Sequence, residues 1–234
     1  MTGISSPRAP YDIVGFDLDG TLLDTSGDLA AAVNHALASI GRPPLSVAQV
    51  KPMIGGGARH MLAQGMAATG GCDPNDDGAT LDRLHRLLID YYESHIAVLT
   101  RPYPHALDVL DRLAARGARL GIVTNKLEGL ARKVLDELGL TRRFDCIIGG
   151  DTMGPGNAKP SPKPIYEMLA RCGGGTAAFV GDSIFDIRAG QAAGLPTVAC
   201  SFGFMMQPVE ELGADVVIDG YAELIPALER LAAR

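Results

Sequence analysis

The stretch Ile13-Val14-Gly15-Phe16-Asp17-Leu18-Asp19-Gly20-Thr21 decides the fold. Its first four residues form a short apolar run, the pattern of a strand buried on both faces. The run stops on two carboxylates with one residue between them, and a glycine follows. Two acids this close repel each other, so a cation or a shared proton must offset them. A divalent metal does so, and an oxygen-only ligand set points to magnesium. One carboxylate is then placed to attack phosphorus. The other can protonate a leaving oxygen and later deprotonate water. Taken alone, the stretch also reads as a polar turn at a strand end, with Asp as the turn former.

Working outward, four further apolar runs have the same character: Leu120 to Val123, Cys146 to Ile148, Ala177 to Val180 and Thr197 to Cys200. A sixth, Asp215 to Ile218, extends the set. Helical patterns separate the later runs: Leu107 to Arg116, Leu127 to Leu138, Pro164 to Cys172 and Phe185 to Ala193. Strands alternating with helices predict an α/β fold with a doubly wound parallel sheet, Rossmann-like, whose ligands sit at the carboxyl ends of the strands. The connection between the first two strands, roughly a hundred residues, is far too long for an ordinary crossover. Helical patterns fill it at Gly27 to Ile40, Gly57 to Thr69 and Asp77 to Ile96. The expected division is a catalytic core of residues 11–23 and 99–234, an inserted all-helical cap of residues 24–98, and a loose tail of residues 1–10.

The other strand ends also carry chemistry. Thr124 and Asn125 close the second strand with a hydroxyl and an amide that can donate to a phosphate oxygen, or simply form a turn or helix cap. Lys159, in Lys159-Pro160-Ser161-Pro162-Lys163-Pro164, can neutralise a nucleophile and an incoming phosphoryl group. Lys163 falls at a helix start, where a cation opposes the dipole and faces solvent. Gly181-Asp182-Ser183-Ile184-Phe185-Asp186 closes the fourth strand; Asp182 is a candidate metal ligand, with Asp186 alongside or holding a metal-bound water. Helix capping accounts equally for Asp182 and Ser183. What favours chemistry is that acid pair, hydroxyl, lysine and second acid pair all fall at or just after strand ends.

These four stations, in this order, resemble the haloacid dehalogenase-like superfamily over about Tyr11 to Leu228. The resemblance implies Asp17 as nucleophile, Asp19 as acid/base, Thr124 as phosphate donor and Lys159 as the neutralising lysine. It implies magnesium held by Asp17, the backbone carbonyl of Asp19, and Asp182, with Asp186 in support. The helical insert resembles the cap of the superfamily's first subclass. Leu22-Leu23-Asp24-Thr25, Ile54-Gly55-Gly56-Gly57, Arg101-Pro102-Tyr103-Pro104 and Ile147-Ile148-Gly149-Gly150-Asp151 together look like the phosphoglycolate phosphatase subfamily. His105 departs from that pattern, standing where those sequences carry Gly. The expected activity is a magnesium-dependent phosphatase acting on a small phosphorylated metabolite such as 2-phosphoglycolate through an aspartyl-phosphate.

Within the cap, Gly55, Gly56 and Gly57 permit close backbone approach to a ligand. Asn125, Gly56 and Arg59 are therefore candidate substrate contacts. Arg59 is placed either to grip a carboxylate or to lie solvated on a helix face. Rival readings remain: a β-phosphoglucomutase-like phosphotransferase, another sugar-phosphate or nucleotide phosphatase, and a catalytically silent binding protein on the same fold. A dehalogenase has no need of Asp19, and a receiver domain carries no such helical insert.

Composition narrows the partners. Of 234 residues, 47% are hydrophobic and 21% charged, which excludes wholesale disorder. A net charge of −6 offers nothing to nucleic acid or an anionic membrane. The four cysteines show no CxxC pair and read as reduced thiols. Neither a signal peptide nor a membrane-length apolar run is evident. A cytoplasmic enzyme, monomer or homodimer, is expected.

Overall fold

A computed structural model describes residues 8–71 and 78–233. Residues 1–7 of the expected tail lie outside these, as do Cys72 and Asp77, where the last cap helix was expected to start. The core strands are β1 (Ile13–Phe16), β4 (Arg119–Val123), β5 (Cys146–Ile148), β6 (Ala177–Gly181), β7 (Thr197–Cys200) and β8 (Val216–Ile218). They form one parallel sheet in the order β5-β4-β1-β6-β7-β8. Every residue of β1, β5, β6 and β7 is buried, as continuous apolar strands covered on both faces require. Helices α5 (Ala106–Ala115), α6 (Glu128–Glu137), α7 (Lys163–Arg171), α8 (Ile184–Ala192) and α9 (Leu224–Ala232) cover it. In α5, Ala106, Val109, Leu110 and Leu113 are the buried residues, an apolar stripe at helical spacing. The sheet is thus the doubly wound α/β arrangement the alternation predicts.

Chain order reverses at β1, which lies between β4 and β6. Such a switch point opens a crevice at the carboxyl edge. In register, Phe16 stands beside Ile122 on one side and Val180 on the other, so the carboxyl ends of β1, β4 and β6 emerge within one residue of each other.

The long connection is helical: α1 (Ser26–Ala38), α2 (Val47–Val50), α3 (Ala58–Ala68) and α4 (Ala79–Ser94). Leu84, Leu88 and Tyr92 bury one face of α4, which packs on α1 and α3. The short α2 is an addition to the expected helices; Ser46 and Gln49 close a reciprocal capping box at its start. Also unforeseen is a two-stranded antiparallel ribbon, β2 (Leu23–Asp24) with β3 (Arg101–Pro102), through which the chain leaves and re-enters the core. Strands of two residues carry no readable periodicity. The ribbon is fastened to α1: buried Asp28 accepts from the backbone N–H groups of Leu99 and Thr100 and from the Thr100 hydroxyl.

His105 is the one non-glycine with positive φ among the described residues, at 64°. The backbone there takes the left-handed form that glycine adopts freely, at a cost of roughly 1–2 kcal/mol for a residue with Cβ. The last strand starts at Val216, not Asp215: the Asp215 N–H donates to the Thr197 hydroxyl rather than to a strand carbonyl, and its carboxylate accepts from the Thr197 N–H.

Candidate active site

The three strands at the switch point deliver their next residues to one place. The Asp17 N–H donates to the Val180 carbonyl at 2.9 Å and the Thr124 N–H to Ile148 at 3.0 Å. Each extends the ladder one residue beyond its strand, which fixes where both side chains start. Asp182 is the first residue after β6. Lys159 comes from the loop between β5 and α7, and its Nζ donates to Asp17 Oδ1 at 2.7 Å, Asp186 Oδ1 at 2.5 Å and the Val123 carbonyl at 2.6 Å. All three ammonium donors are thereby used. Lys163, at the start of α7, is exposed and reaches Asn157 at 2.8 Å.

Asp182 is held from two directions. Thr21 Oγ donates to Oδ1 at 2.7 Å and the Phe204 N–H to Oδ2 at 2.7 Å. Gly20 precedes Thr21 at φ 87°, and a Cβ there would collide with the Asp182 carboxylate. Asp186 closes the capping box of α8, its Oδ2 accepting from the Ser183 N–H at 2.9 Å and hydroxyl at 2.6 Å. The capping and chemical readings of this segment therefore hold together. Thr124 is buried, and its hydroxyl oxygen accepts from the Lys126 N–H at 3.2 Å, which leaves the hydroxyl proton to point elsewhere.

Carboxylate oxygens of Asp17, Asp182 and Asp186 lie within 4.8 Å of one another, all buried. Burial pushes Asp17 up to about 6; the Asp186 and Asp19 charges add to this, and Lys159 opposes it. Burial, then Asp186 and Asp17, hold Asp182 well above the usual carboxylate range. Burial alone would lower Lys159, but the Asp17 and Asp186 carboxylates outweigh it and raise it. Lys159 offsets only one of the three carboxylates, so with all three ionised two negative charges would remain in a desolvated site. Hard oxygen donors with an excess charge of two fit a divalent, oxygen-seeking ion.

Above this cluster lies a cleft of about 240 Å³ between core and cap. Asp17, Asp19, Thr124 and Asn125 line it from the core, and Gly55, Gly56, Gly57 and Arg59 from the cap. Asn125 ties the two, its Nδ2 donating to the Gly55 carbonyl at 2.9 Å and the Lys159 carbonyl at 3.1 Å. Arg59 sits at the exposed rim, where Nε and an Nη both reach Asp82 Oδ1, at 3.1 and 2.7 Å.

The sequence reading passed over Lys126. Its Nζ donates to both oxygens of Asp19, at 2.8 Å each, and lies 4.6 Å from the centre of the Tyr92 ring on α4. It is buried, and burial works against its charge, but Asp19 outweighs that and raises it. Its signal was its place as third residue of Thr124-Asn125-Lys126, in the same carboxyl-edge loop as two residues already singled out. Thr21 and Phe204, which orient Asp182, were also passed over.

Residues 14–200 match the family model of the haloacid dehalogenase-like hydrolases. The chain is 39% identical over 233 residues to a phosphoglycolate phosphatase of Agrobacterium fabrum, covering 98% of this chain and 97% of the relative. It is 43% identical over 213 residues to a phosphoglycolate phosphatase of Rhodospirillum rubrum, covering 89% and 87%. A crystal structure of a predicted phosphoglycolate phosphatase from Haemophilus somnus superposes with a TM-score of 0.83 at 28% identity, covering 94% of this chain and 98% of that one. Among the described residues no helix is long and apolar enough to cross a membrane.

Proposed function

The chain belongs to the haloacid dehalogenase-like hydrolases and is a phosphoric monoester hydrolase, and on that premise we propose that it hydrolyses 2-phosphoglycolate through a phosphoryl group carried on Asp17. The observation that carries the reading is the Asp17 carboxylate at the switch point, with Oδ1 on Lys159 and Asp19 two residues on beside the cleft. The names of the relatives supply the substrate, which is small enough for the cleft and anionic at both ends.

The second oxygen of Asp17 attacks phosphorus, and the bond from phosphorus to the ester oxygen breaks. Asp19, which has to enter the cycle protonated, gives its proton to that oxygen, and glycolate leaves. Lys159 and the Thr124 hydroxyl take up negative charge on the transferring group, and Asn125 orients it. Asp19, now a carboxylate, removes a proton from water as the water oxygen attacks phosphorus. The bond to Asp17 breaks, inorganic phosphate departs, and both acids regain their starting states. Magnesium would be held by Asp17, the Asp19 carbonyl and Asp182, with Asp186 reaching it through water, and would supply Lewis-acid charge neutralisation at the phosphoryl oxygens. Gly56 lines the cleft from the cap and would approach the substrate through its backbone, while Arg59 stands at the rim with its guanidinium on Asp82.

The test is to trap the intermediate. Acid-quenched enzyme turning over 2-phosphoglycolate labelled in its phosphoryl group should carry label that hydroxylamine releases, and Asp17→Asn should carry none. Label retained by that variant, or none on the native enzyme during turnover, refutes the covalent route.

A further inference from the structure

Two negative groups of unequal reach meet in this cleft. The phosphoryl group has Lys159, whose three donors are already committed below it. The far anion of a small substrate has to find a different cation. Among the described residues lining the cleft, Arg59 stands at its exposed rim with its guanidinium on Asp82. Lys126 is the cation inside, buried against the Tyr92 ring of the cap.

We propose that Lys126 is the specificity-determining residue of this enzyme, selecting leaving groups whose carboxylate lies two bonds from the ester oxygen. The inference rests on the reading of the chain as a phosphoglycolate phosphatase with Asp19 as the acid/base. Asp19 then lies within hydrogen-bond reach of the ester oxygen, about 2.6–3.2 Å away. Lys126 Nζ is one further hydrogen bond on, 2.8 Å from each Asp19 oxygen. A carboxylate two bonds from the ester oxygen therefore comes up beside Nζ without any change in the chain. Asp19 takes two of the three ammonium donors, and the third, beside the Tyr92 hydroxyl, is the one a substrate carboxylate would engage. Apolar walls strengthen that bond, because Leu88 and Met61 line the same cleft and the Tyr92 ring faces the ammonium. A hydroxyl in place of the carboxylate gains no ionic bond. A leaving group one methylene longer carries its anion past Nζ.

The pairing with Asp19 means that any Lys126 variant disturbs Asp19 as well, so absolute rates do not decide the matter. The deciding quantity is a ratio: kcat/KM on 2-phosphoglycolate over kcat/KM on 2-hydroxyethyl phosphate, which differ only in carboxylate against hydroxymethyl. Damage at Asp19 lowers both and cancels. Lys126→Met should reduce this ratio about ten- to hundredfold, the loss of one charge-assisted hydrogen bond. Lys126→Arg, which keeps the charge, should retain most of it. Lys126→Gln carries the same expectation as Lys126→Met if the latter does not fold. A native enzyme selective for 2-phosphoglycolate whose ratio survives loss of the charge refutes the role of Lys126 and leaves the substrate reading standing. A native enzyme that hydrolyses 2-hydroxyethyl phosphate but not 2-phosphoglycolate refutes the substrate reading, and Lys126 as its determinant with it.

Discussion

The two ends of the cleft are built in opposite ways. At its floor, Asp17, Asp182 and Asp186 are buried and each is held by at least one hydrogen bond from the core. At its rim, the Arg59–Asp82 pair is more than half exposed on both sides and both residues belong to the cap. Ionic geometry in a desolvated site is costly to disturb, whereas an exposed pair contributes about 0–1 kcal/mol. The difference sets a floor whose groups cannot move independently against a rim whose contacts can rearrange.

The sharpest attempt to break this contrast is Asp17→Asn. It preserves shape, removes the attacking oxygen and should abolish turnover on every monoester while the far-UV spectrum stays unchanged. Appreciable activity in the folded variant would separate the floor from the chemistry.

Metal removal probes the same floor through its excess charge. Chelation should abolish activity and magnesium restore it. Binding should also raise the melting temperature, by the equivalent of about 2.7 kcal/mol at a free metal concentration a hundred times Kd. Because folding raises Asp17 from 3.8 to about 6, the metal-free protein loses stability as pH climbs through that window. The gain on adding magnesium should therefore be greatest above pH 6 and shrink toward pH 4. A gain independent of pH would show that the metal does not meet this carboxylate.

Next in size is the contrast between two lysines of one loop. Lys159→Ala leaves Asp17 and Asp186 buried without their partner and should cost about 3–5 kcal/mol of stability as well as nearly all activity. Lys163→Ala removes an exposed contact and should change stability by less than about 0.5 kcal/mol. Chemical denaturation of both variants checks the ranking, and the reverse order would overturn it.

Asp19→Ala should slow 2-phosphoglycolate hydrolysis by about a hundred- to ten-thousandfold. The loss should be milder on p-nitrophenyl phosphate, whose leaving group needs less protonation. Equal losses would assign Asp19 to binding alone. Smallest is Arg59→Ala. With its guanidinium on Asp82 at the rim, the change should alter kcat/KM on either substrate by less than about fivefold, the equivalent of 1 kcal/mol. A selective tenfold loss on 2-phosphoglycolate would bring the rim into substrate recognition after all.

The sequence carried the floor far better than the rim. Asp17, Thr124 and Asp182 were legible because each terminates an apolar run, and a parallel sheet brings such ends together whatever the loops do. Lys159 was legible through the loop it follows. Lys126 sat in plain view beside Asn125, but its partner lies 107 residues away, and only the switch point sets their loops face to face. The Arg59–Asp82 pair spans 23 residues and two cap helices, and no period or motif encodes such a contact between exposed side chains. The ribbon of Leu23–Asp24 and Arg101–Pro102 was too short to register, although the change of rhythm at the cap boundary marked its neighbourhood.

That ribbon makes the helical insert a detachable cassette. Its entry and exit strands are antiparallel neighbours, about 4.8 Å apart, the span that an ordinary hairpin loop bridges. The chain between them can change in length without rethreading the sheet. Asp28 makes the cassette self-contained, since it clasps the returning strand from within the insert's own first helix. The insert is thus fixed to the core at one narrow neck, beside the sheet edge that carries the acidic cluster.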